Sequence, residues 1–450
     1  MNIAVCIKPS NGEISPFDEA ALECALRIGG DITVVSMCPR SNEDALKRLT
    51  RLGARAVLIS DPSFAGSDTL ATGYILSCAM RKLKPDLILC GRQSSDGDTA
   101  QVGPCLSAML GMPVITNVME MPSFDGNYAE CKTRMGNEKA QLPCVLTAER
   151  IFRLRFPKLT SRAGSVEIWD NSVLGADLKR CGLNGSPTRV LKVFENKRGR
   201  RKCQFIERGE LDSLIERLKN EPDKIKTEKK ADKVKLKNVW TIGQVDGAEE
   251  IAESVTVIHE KDPFKIAELA EKEKPEVILW RADLEGRRNA PIAAALLNTG
   301  LCADCTELET DGENLFMYRP ARSGSVTAKI KCVTRPQMAT VRVTSEGGGI
   351  IIGAGRGVSA ELDRIRAFAD KTGAQLGASR GLVDDGGMPY EYQIGLTGKT
   401  AAPKIYAAIG ISGAVHHTCA IENAEYIIAV NPDKNARIFE YADYGIADKF

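Results

Sequence analysis

The sequence predicts an α/β protein: two related Rossmann-like domains with parallel sheets, followed by a third domain of the same class. Three observations predict it. Short β-branched runs alternate with helical stretches, the pattern of crossover-connected parallel strands. Three short motifs recur in one order at nearly one spacing. A glycine-punctuated segment of about one hundred residues then follows a break at Glu346-Gly-Gly-Gly349.

The first domain opens on Ile3 to Ile7, an apolar run expected to be a buried strand, and Ile32 to Ser36, Ala56 to Ile59 and Leu87 to Cys90 continue the series. Between them, Glu19 to Ile28 and Glu43 to Leu52 carry apolar residues at helical spacing. The plan then repeats. Lys84-Pro-Asp-Leu-Ile-Leu-Cys90 is echoed by Lys274-Pro-Glu-Val-Ile-Leu-Trp280, 190 positions on. Leu106-Ser-Ala-Met-Leu-Gly111 is echoed by Ala294-Ala-Leu-Leu-Asn-Thr-Gly300, at an offset of 189. Leu142-Pro-Cys-Val-Leu-Thr147 is matched by Arg335-Pro-Gln-Met-Ala-Thr340, at an offset of 193. Three echoes in order imply a duplicated α/β domain.

Between the copies runs Lys224 to Asn238, a lysine-rich stretch interrupted by Glu228 and Asp232. It has too little apolar surface to order itself and reads as a linker. The expected organisation is a nucleotide-binding domain over 1–223, a linker over 224–238, a shortened second copy over 239–346, and a third domain over 347–450. At 450 residues, that agrees with roughly 150 residues per domain.

Composition narrows the function. A net charge of +2 and 5% aromatic residues argue against a nucleic-acid surface. No apolar run of about 18 residues predicts a membrane span. Met1 leads directly into a strand-like segment without a signal-peptide pattern, and the 14 cysteines are scattered. A reduced, cytoplasmic protein is expected. Cys302 and Cys305 form one Cys-x-x-Cys, but a zinc ribbon needs a second such pair, so no metal is expected.

The third segment carries the chemistry. Ile350 to Ile352 lead into Gly353, Gly355, Arg356 and Gly357. Glycines at such a point let backbone N–H groups approach a diphosphate. Gly377-Ala-Ser379-Arg380-Gly381 follows, then Gln393-Ile394-Gly395-Leu396-Thr397-Gly398-Lys399, then Gly410-Ile-Ser412-Gly413-Ala414-Val415-His416-His417. Any one of these reads equally well as a tight turn. Four together point to a large phosphate-bearing ligand wrapped by loops.

In that order, and continuing through Ile427-Ile-Ala-Val-Asn431-Pro-Asp433 and Ile438-Phe-Glu-Tyr-Ala-Asp443-Tyr444-Gly445, the segments resemble the FAD domain of the electron transfer flavoprotein alpha subunit. The first half resembles the beta subunit, through Ser15-Pro-Phe-Asp18-Glu19 and Gly91-Arg-Gln-Ser-Ser-Asp96-Gly97-Asp98-Thr99-Ala100-Gln101-Val102-Gly103-Pro104. Leu183-Asn-Gly-Ser-Pro-Thr-Arg-Val190 continues that likeness. The chain thus looks like a beta–alpha fusion. The resemblance implies adenine nucleotide hydrolase-like folds for the first two domains and a flavodoxin-like FAD-binding domain for the third.

It further implies FAD contacts at Arg356, Ser379, Arg380, Ile394, Gly395, Leu396, Thr397, Ser412, Gly413, Ala414, Val415, His416, His417, Asn431, Asp448 and Lys449. Reduced flavin gains negative charge on its N1–O2 edge, so a donor there favours reduction; His417 is the implied donor. Thr397 is implied near N5 and Arg380 as a fixed positive charge beside the ring. Leu396 and His416 stand where the family usually has Gln.

The loop Asp96, Gly97, Asp98, Thr99, Ala100, Gln101, Val102, Gly103 resembles the family's second nucleotide site, with Cys6, Asp18 and Met37 flanking it. That site holds AMP in simple carriers and a second FAD in bifurcating members, and the form here looks like the latter. The implied function is an electron carrier between a flavin dehydrogenase, such as an acyl-CoA dehydrogenase-like protein, and a downstream redox acceptor. Oxidation of NADH at the second FAD would be the bifurcating extension. The competing class is a nucleotide-binding scaffold without redox work. A hydrolase is disfavoured, since Gly410-Ile-Ser412-Gly413 lacks the closing spacing of a nucleophile elbow. A monomer and a homo-oligomer are both compatible with a fused chain.

Overall fold

The computed structural model describes residues 1–94, 96–195, 201–222, 234–322, 324–342, 344, 345 and 349–450. They fall into two compact units. The first comprises Met1–Val193, Val234–Arg322 and Ala328–Val341; the second comprises Arg342–Phe450, Ser323–Thr327 and the residues from Phe194 to Lys233.

In the first unit the N-terminal strand Asn2–Cys6 sits inside a ten-stranded sheet. Asp31–Met37 and then Arg55–Ile59 lie parallel on one side of it, while Leu87–Gly91, Cys144–Ala148 and Val114–Val118 continue in parallel on the other. The helices between the strands follow local chemistry. Pro16–Ile28 begins with Ser15 accepting a hydrogen bond from the Asp18 N–H and with proline at its first position. Thr69–Leu83 is capped by the Asp68 carboxylate, which accepts from the Ala71 N–H at 3.0 Å. Both sheet faces are therefore buried, which is why Ile3, Val5, Leu58, Ile59, Leu87 and Ile88 form an apolar core at 1% exposure or less.

The same unit holds a five-stranded parallel sheet in the order Val255–Ile258, Val239–Ile242, Val277–Arg281, Gln337–Val341, Leu301–Cys305. The repeat read from the sequence is physical. Lys84 and Lys274 both end a helix in the left-handed conformation, at φ 49° and 51°, each donating its N–H to the carbonyl four residues earlier. Helices Val102–Leu110 and Leu284–Leu296, one from each copy, pack on each other. The second copy has no counterpart of the strand Arg55–Ile59 among the described residues.

The second unit is built on a six-stranded parallel sheet. Its order is Gln204–Phe205, Tyr444–Ile446, Tyr426–Val430, Ile405–Ile409, Ile350–Ala354, Gln375–Ala378. Its edge strand comes from far upstream in the chain. Helix Leu211–Asn220 comes with it and buries Leu211, Leu214, Ile215 and Leu218 in the core of this sheet, at about 1.5 kcal/mol or more each. Arg201 fastens the arm, donating to the Asp443 carboxylate and to the carbonyls of Glu422, Ala424 and Glu425.

Packing therefore divides the chain differently from the expected boundaries. Residues 201–220 precede the expected end at 223, yet they complete the C-terminal sheet, because that sheet's edge offers the apolar surface they lack alone. The expected linker lies outside the described residues up to Lys233. Its last part is ordered in the first unit: Leu236 is fully buried and donates its N–H to the Ile251 carbonyl at 2.9 Å. The expected start at 347 also lies outside the described residues. No helix among the described residues is long and apolar enough to cross a membrane.

Candidate functional site

Two sheet edges gather the polar residues. In each, the chain leaves a central strand to one side and later returns on the other, so the loops at the strands' carboxyl ends diverge and leave a crevice.

In the second unit this switch lies between Ile350–Ala354 and Ile405–Ile409. The loops leaving these strands touch through their backbones. A Cβ on Gly355 would overlap the Gly410 carbonyl, and Gly357 donates its N–H to that same oxygen at 3.3 Å. Gly410 and Gly413 stand at φ 66° and 86°, a region side chains disfavour. Gly353 behaves otherwise than expected from the sequence. It lies inside the strand, and a Cβ there would overlap the Tyr406 hydroxyl. Its role is to admit that side chain rather than to form the turn.

Around this crevice the loops are tied to one another. Ile394 donates its N–H to the Ala378 carbonyl at 2.9 Å, and Leu396 donates to the His416 carbonyl at 2.6 Å. Asn431 reaches the Ile411 carbonyl at 3.0 Å through its side-chain amide. Ser379 caps the short helix Arg380–Asp384, whose Arg380 pairs with Asp384 at 3.0 Å. Arg356 is exposed and pairs with Asp385 at 2.7 Å. The Thr397 hydroxyl accepts from the Gln393 amide at 2.7 Å. Gly395 sits at φ 148° with the His416 carbonyl against it. Ser412, Ala414 and His416 are exposed, Val415 is half-buried, and Leu396 is buried at 7% exposure. Asp448 and Lys449 follow the strand Tyr444–Ile446 at the same end of the sheet, where the Lys449 carbonyl accepts from Arg208.

His417 is buried at 6% exposure. Its Nε2 lies 2.9 Å from the Tyr406 hydroxyl and its Nδ1 has no hydrogen-bond partner. Burial lowers its pKa to about 4, with the Ile394 backbone opposing, so the ring is neutral at physiological pH.

In the first unit the crevice opens between Asn2–Cys6 and Leu87–Gly91 as a cavity of about 1000 Å³. Cys6, Asp18, Met37, Gly97, Thr99, Ala100, Gln101, Val102 and Gly103 line it. Asp96 and Asp98 are turned elsewhere. Asp96 pairs with Lys8 at 2.7 Å, and the Asp98 carboxylate accepts from the Gln93 amide at 2.9 Å. Both hold the loop, in which Asp98 and Ala100 take positive φ of 52° and 56°. The loop delivers Gln101 to the start of helix Val102–Leu110. Its amide Nε2 is buried there with no partner, although Gln101 lines the cavity.

Asp18 lies on the cavity floor. Burial lifts its pKa to about 7, against the Lys8 N–H at 3.0 Å and the hydrogen bond to Ser15. Sequence reasoning missed Lys8, Arg40, Ser60, Asp61 and Thr69 on the same walls. The signal that could have found them was positional: each lies near the carboxyl end of a parallel strand or the start of the next helix.

The donor set fits adenine nucleotides at both edges: glycine loops in close backbone contact, hydroxyl and amide donors, and one buried amide without a partner. Comparison with known proteins supports an FAD-binding domain in the second unit. Residues 3–174 and 263–347 match the electron transfer flavoprotein domain, and residues 346–422 match the electron transfer flavoprotein FAD-binding domain. The chain is 39% identical over 228 residues to the electron transfer flavoprotein subunit alpha of Thermoanaerobacterium thermosaccharolyticum, covering 40% of this chain and 69% of that one. It is 36% identical over 268 residues to the protein FixA of Azorhizobium caulinodans, covering 49% and 95%. It is 34% identical over 256 residues to the acryloyl-CoA reductase electron transfer subunit beta of Anaerotignum propionicum, covering 40% and 70%. The matched domains span more than half of the sequence, and the chain belongs to the electron transfer flavoprotein family, as an electron-carrying flavoprotein with an FAD-binding domain.

Proposed function

We propose that the chain takes electrons from a flavin dehydrogenase acting on acyl-CoA thioesters, passes them to a downstream redox acceptor, and uses a second FAD in the first unit to oxidise NADH. FAD supplies the redox chemistry, since it can exchange electrons singly or in pairs. The side chains bind and orient it. Arg356, Ser379, Ser412 and Asn431 would hold its diphosphate and adenosine end. Ile394, Gly395 and Leu396 would line the ring with backbone and apolar surface. Thr397 would lie near N5 of the ring, and Arg380 brings a positive charge that favours a reduced, anionic ring.

The observation that carries the second nucleotide is the Gln101 amide: buried, without a partner, and at the N-terminus of a nine-residue helix on the cavity wall. A buried donor without an acceptor is costly, and a helix N-terminus favours an anion. A volume of about 1000 Å³ lies at the upper end of the usual range for ligand pockets. That favours a dinucleotide over AMP. The relative named as an acryloyl-CoA reductase subunit supports a CoA-thioester dehydrogenase as partner.

We further place the docking surface for the redox partner at Phe156 and Leu159. Phe156 and Leu159 are 95% and 99% exposed, among Arg153, Arg155, Lys158 and Arg162. An apolar pair so fully offered to water in a basic segment suits the rim of an acidic redox partner. Extraction of the purified protein's nucleotides tests the proposal. Two FAD per chain are expected; one FAD with one AMP would remove the second flavin and the NADH reaction with it.

A further inference from the structure

The mid-strand glycine at 353 makes room for one group, the Tyr406 hydroxyl, which reaches across to His417. Glycine inside a central strand weakens it, so a close approach is the physical reason to keep one there. Tyr406 is fully buried, and its hydroxyl has His417 Nε2 as its partner at 2.9 Å. His417 Nδ1 is buried without a well-formed hydrogen bond, and the Ile394 backbone beside the ring favours a proton on it.

Two proton arrangements are open to a neutral ring. If Nε2 carried the proton and donated to the phenol oxygen, the phenol proton and the Nδ1 lone pair would both be buried without partners. If the phenol donates to Nε2, only the Nδ1–H is left over. Imidazole nitrogen is also a far better acceptor than a phenol oxygen. Burial holds the Tyr406 pKa well above its ordinary value, so its proton stays in place to be donated.

We infer that Tyr406 is a positioning residue that fixes His417 in the Nδ1–H tautomer, so that the donor offered to the acceptor edge of a bound flavin is Nδ1 and not Nε2. This rests on His417 lying beside the flavin, as proposed above. Tyr406 and Gly353 then act together. The tyrosine supplies the hydrogen bond that selects the tautomer, and the glycine supplies the space for it.

The test is ¹⁵N-edited NMR of the histidine rings, which distinguishes the two tautomers directly. With three histidines in the chain, His417 is assigned by comparison with a His417→Asn variant. The wild-type protein is expected to show protonated Nδ1 and unprotonated Nε2. Tyr406→Phe keeps the ring packing, removes the donor, and should turn the signal into a mixture of both tautomers. Gly353→Ala should produce the same change from the other side, by displacing the hydroxyl. In flavin-loaded protein, Tyr406→Phe should keep the FAD content and move the flavin potential to more negative values. A wild-type ring protonated on Nε2, or a tautomer unchanged in both variants, overturns the inference. An altered tautomer with an unmoved potential upholds the Tyr406 assignment and overturns the role of His417 beside the flavin.

Discussion

The Glu23 carboxylate takes three hydrogen bonds from Arg155: from its backbone N–H at 3.1 Å, from Nε at 3.0 Å and from Nη2 at 2.9 Å. Arg27 adds a fourth at 2.8 Å. Glu23 is 3% exposed, on the first helix, and Arg155 lies in the irregular segment that carries Phe156 and Leu159. The far end of that segment is tied as well, by Arg51 Nε to the Ser161 carbonyl at 3.2 Å and by the Gly164 N–H to the Thr50 hydroxyl at 2.8 Å. An exposed apolar pair is thus held between two fastened ends.

Glu23→Gln should loosen the first fastening. Burial alone would raise the Glu23 pKa, but the hydrogen bonds from Arg155 and Arg27 lower it to about 2 from 4.5. A depressed carboxylate stabilises the fold above its unfolded pKa and loses that contribution as pH falls towards 2. The variant should lose about 1 to 2 kcal/mol near neutral pH, once the half-exposed Arg155 is discounted. Urea unfolding at neutral pH and in acid measures it, and the difference between variant and wild type should shrink in acid.

Leu159→Ala and Phe156→Ala remove no buried contact. Each should leave thermal stability within about 0.5 kcal/mol and leave the FAD content unchanged. Electron transfer from a partner dehydrogenase should slow by roughly tenfold, as expected when an apolar anchor is lost from an interface. Stopped-flow reduction by the reduced partner reports it; an unchanged rate would move the docking surface elsewhere.

Asp18 carries the opposite linkage. Its folded pKa of about 7 stands above the ordinary 3.8. Between these values the folded chain holds a proton that the unfolded chain has released. Stability therefore falls as pH rises through that window and levels off above 7. Asp18→Asn should remove the slope, so its stability relative to wild type should rise between about pH 4 and about pH 8. Parallel stability curves for the two proteins would show that Asp18 is ionised in the fold.

Gly355→Ala places a Cβ on the Gly410 carbonyl and forces the two crevice loops apart. FAD content should drop sharply while the nucleotide of the first unit is retained. Extracted-nucleotide analysis separates the two.

The duplicated α/β plan was legible because its markers are local. The lysines at 84 and 274 sit at equivalent helix ends, and the apolar runs after them are equivalent strands. The glycine loops of the FAD-binding domain were legible for the same reason, since their spacing sits in contiguous sequence. What escaped was set by distant packing. Gln204–Phe205 and Leu211–Asn220 find their partners far downstream, in the C-terminal sheet, and no local pattern marks them as part of it. Lys8, Ser60 and Asp61 come to one cavity only because neighbouring strands end at one edge. Asp96 and Asp98, being anionic, read as binding ligand hydroxyls or ordering the turn, and Lys8 and Gln93 claim their carboxylates within the loop. Gly353 read as a turn glycine, because nothing in its neighbourhood announces that Tyr406 needs the space.

The most direct test of the account is anaerobic reduction of the purified chain by a CoA-thioester dehydrogenase charged with its substrate, followed by absorbance and by quantified flavin. The purified protein is expected to be yellow, with a flavin band that bleaches when the dehydrogenase is added and returns when a redox acceptor follows. A colourless chain that takes up no FAD, or a flavin that no dehydrogenase reduces, would contradict it.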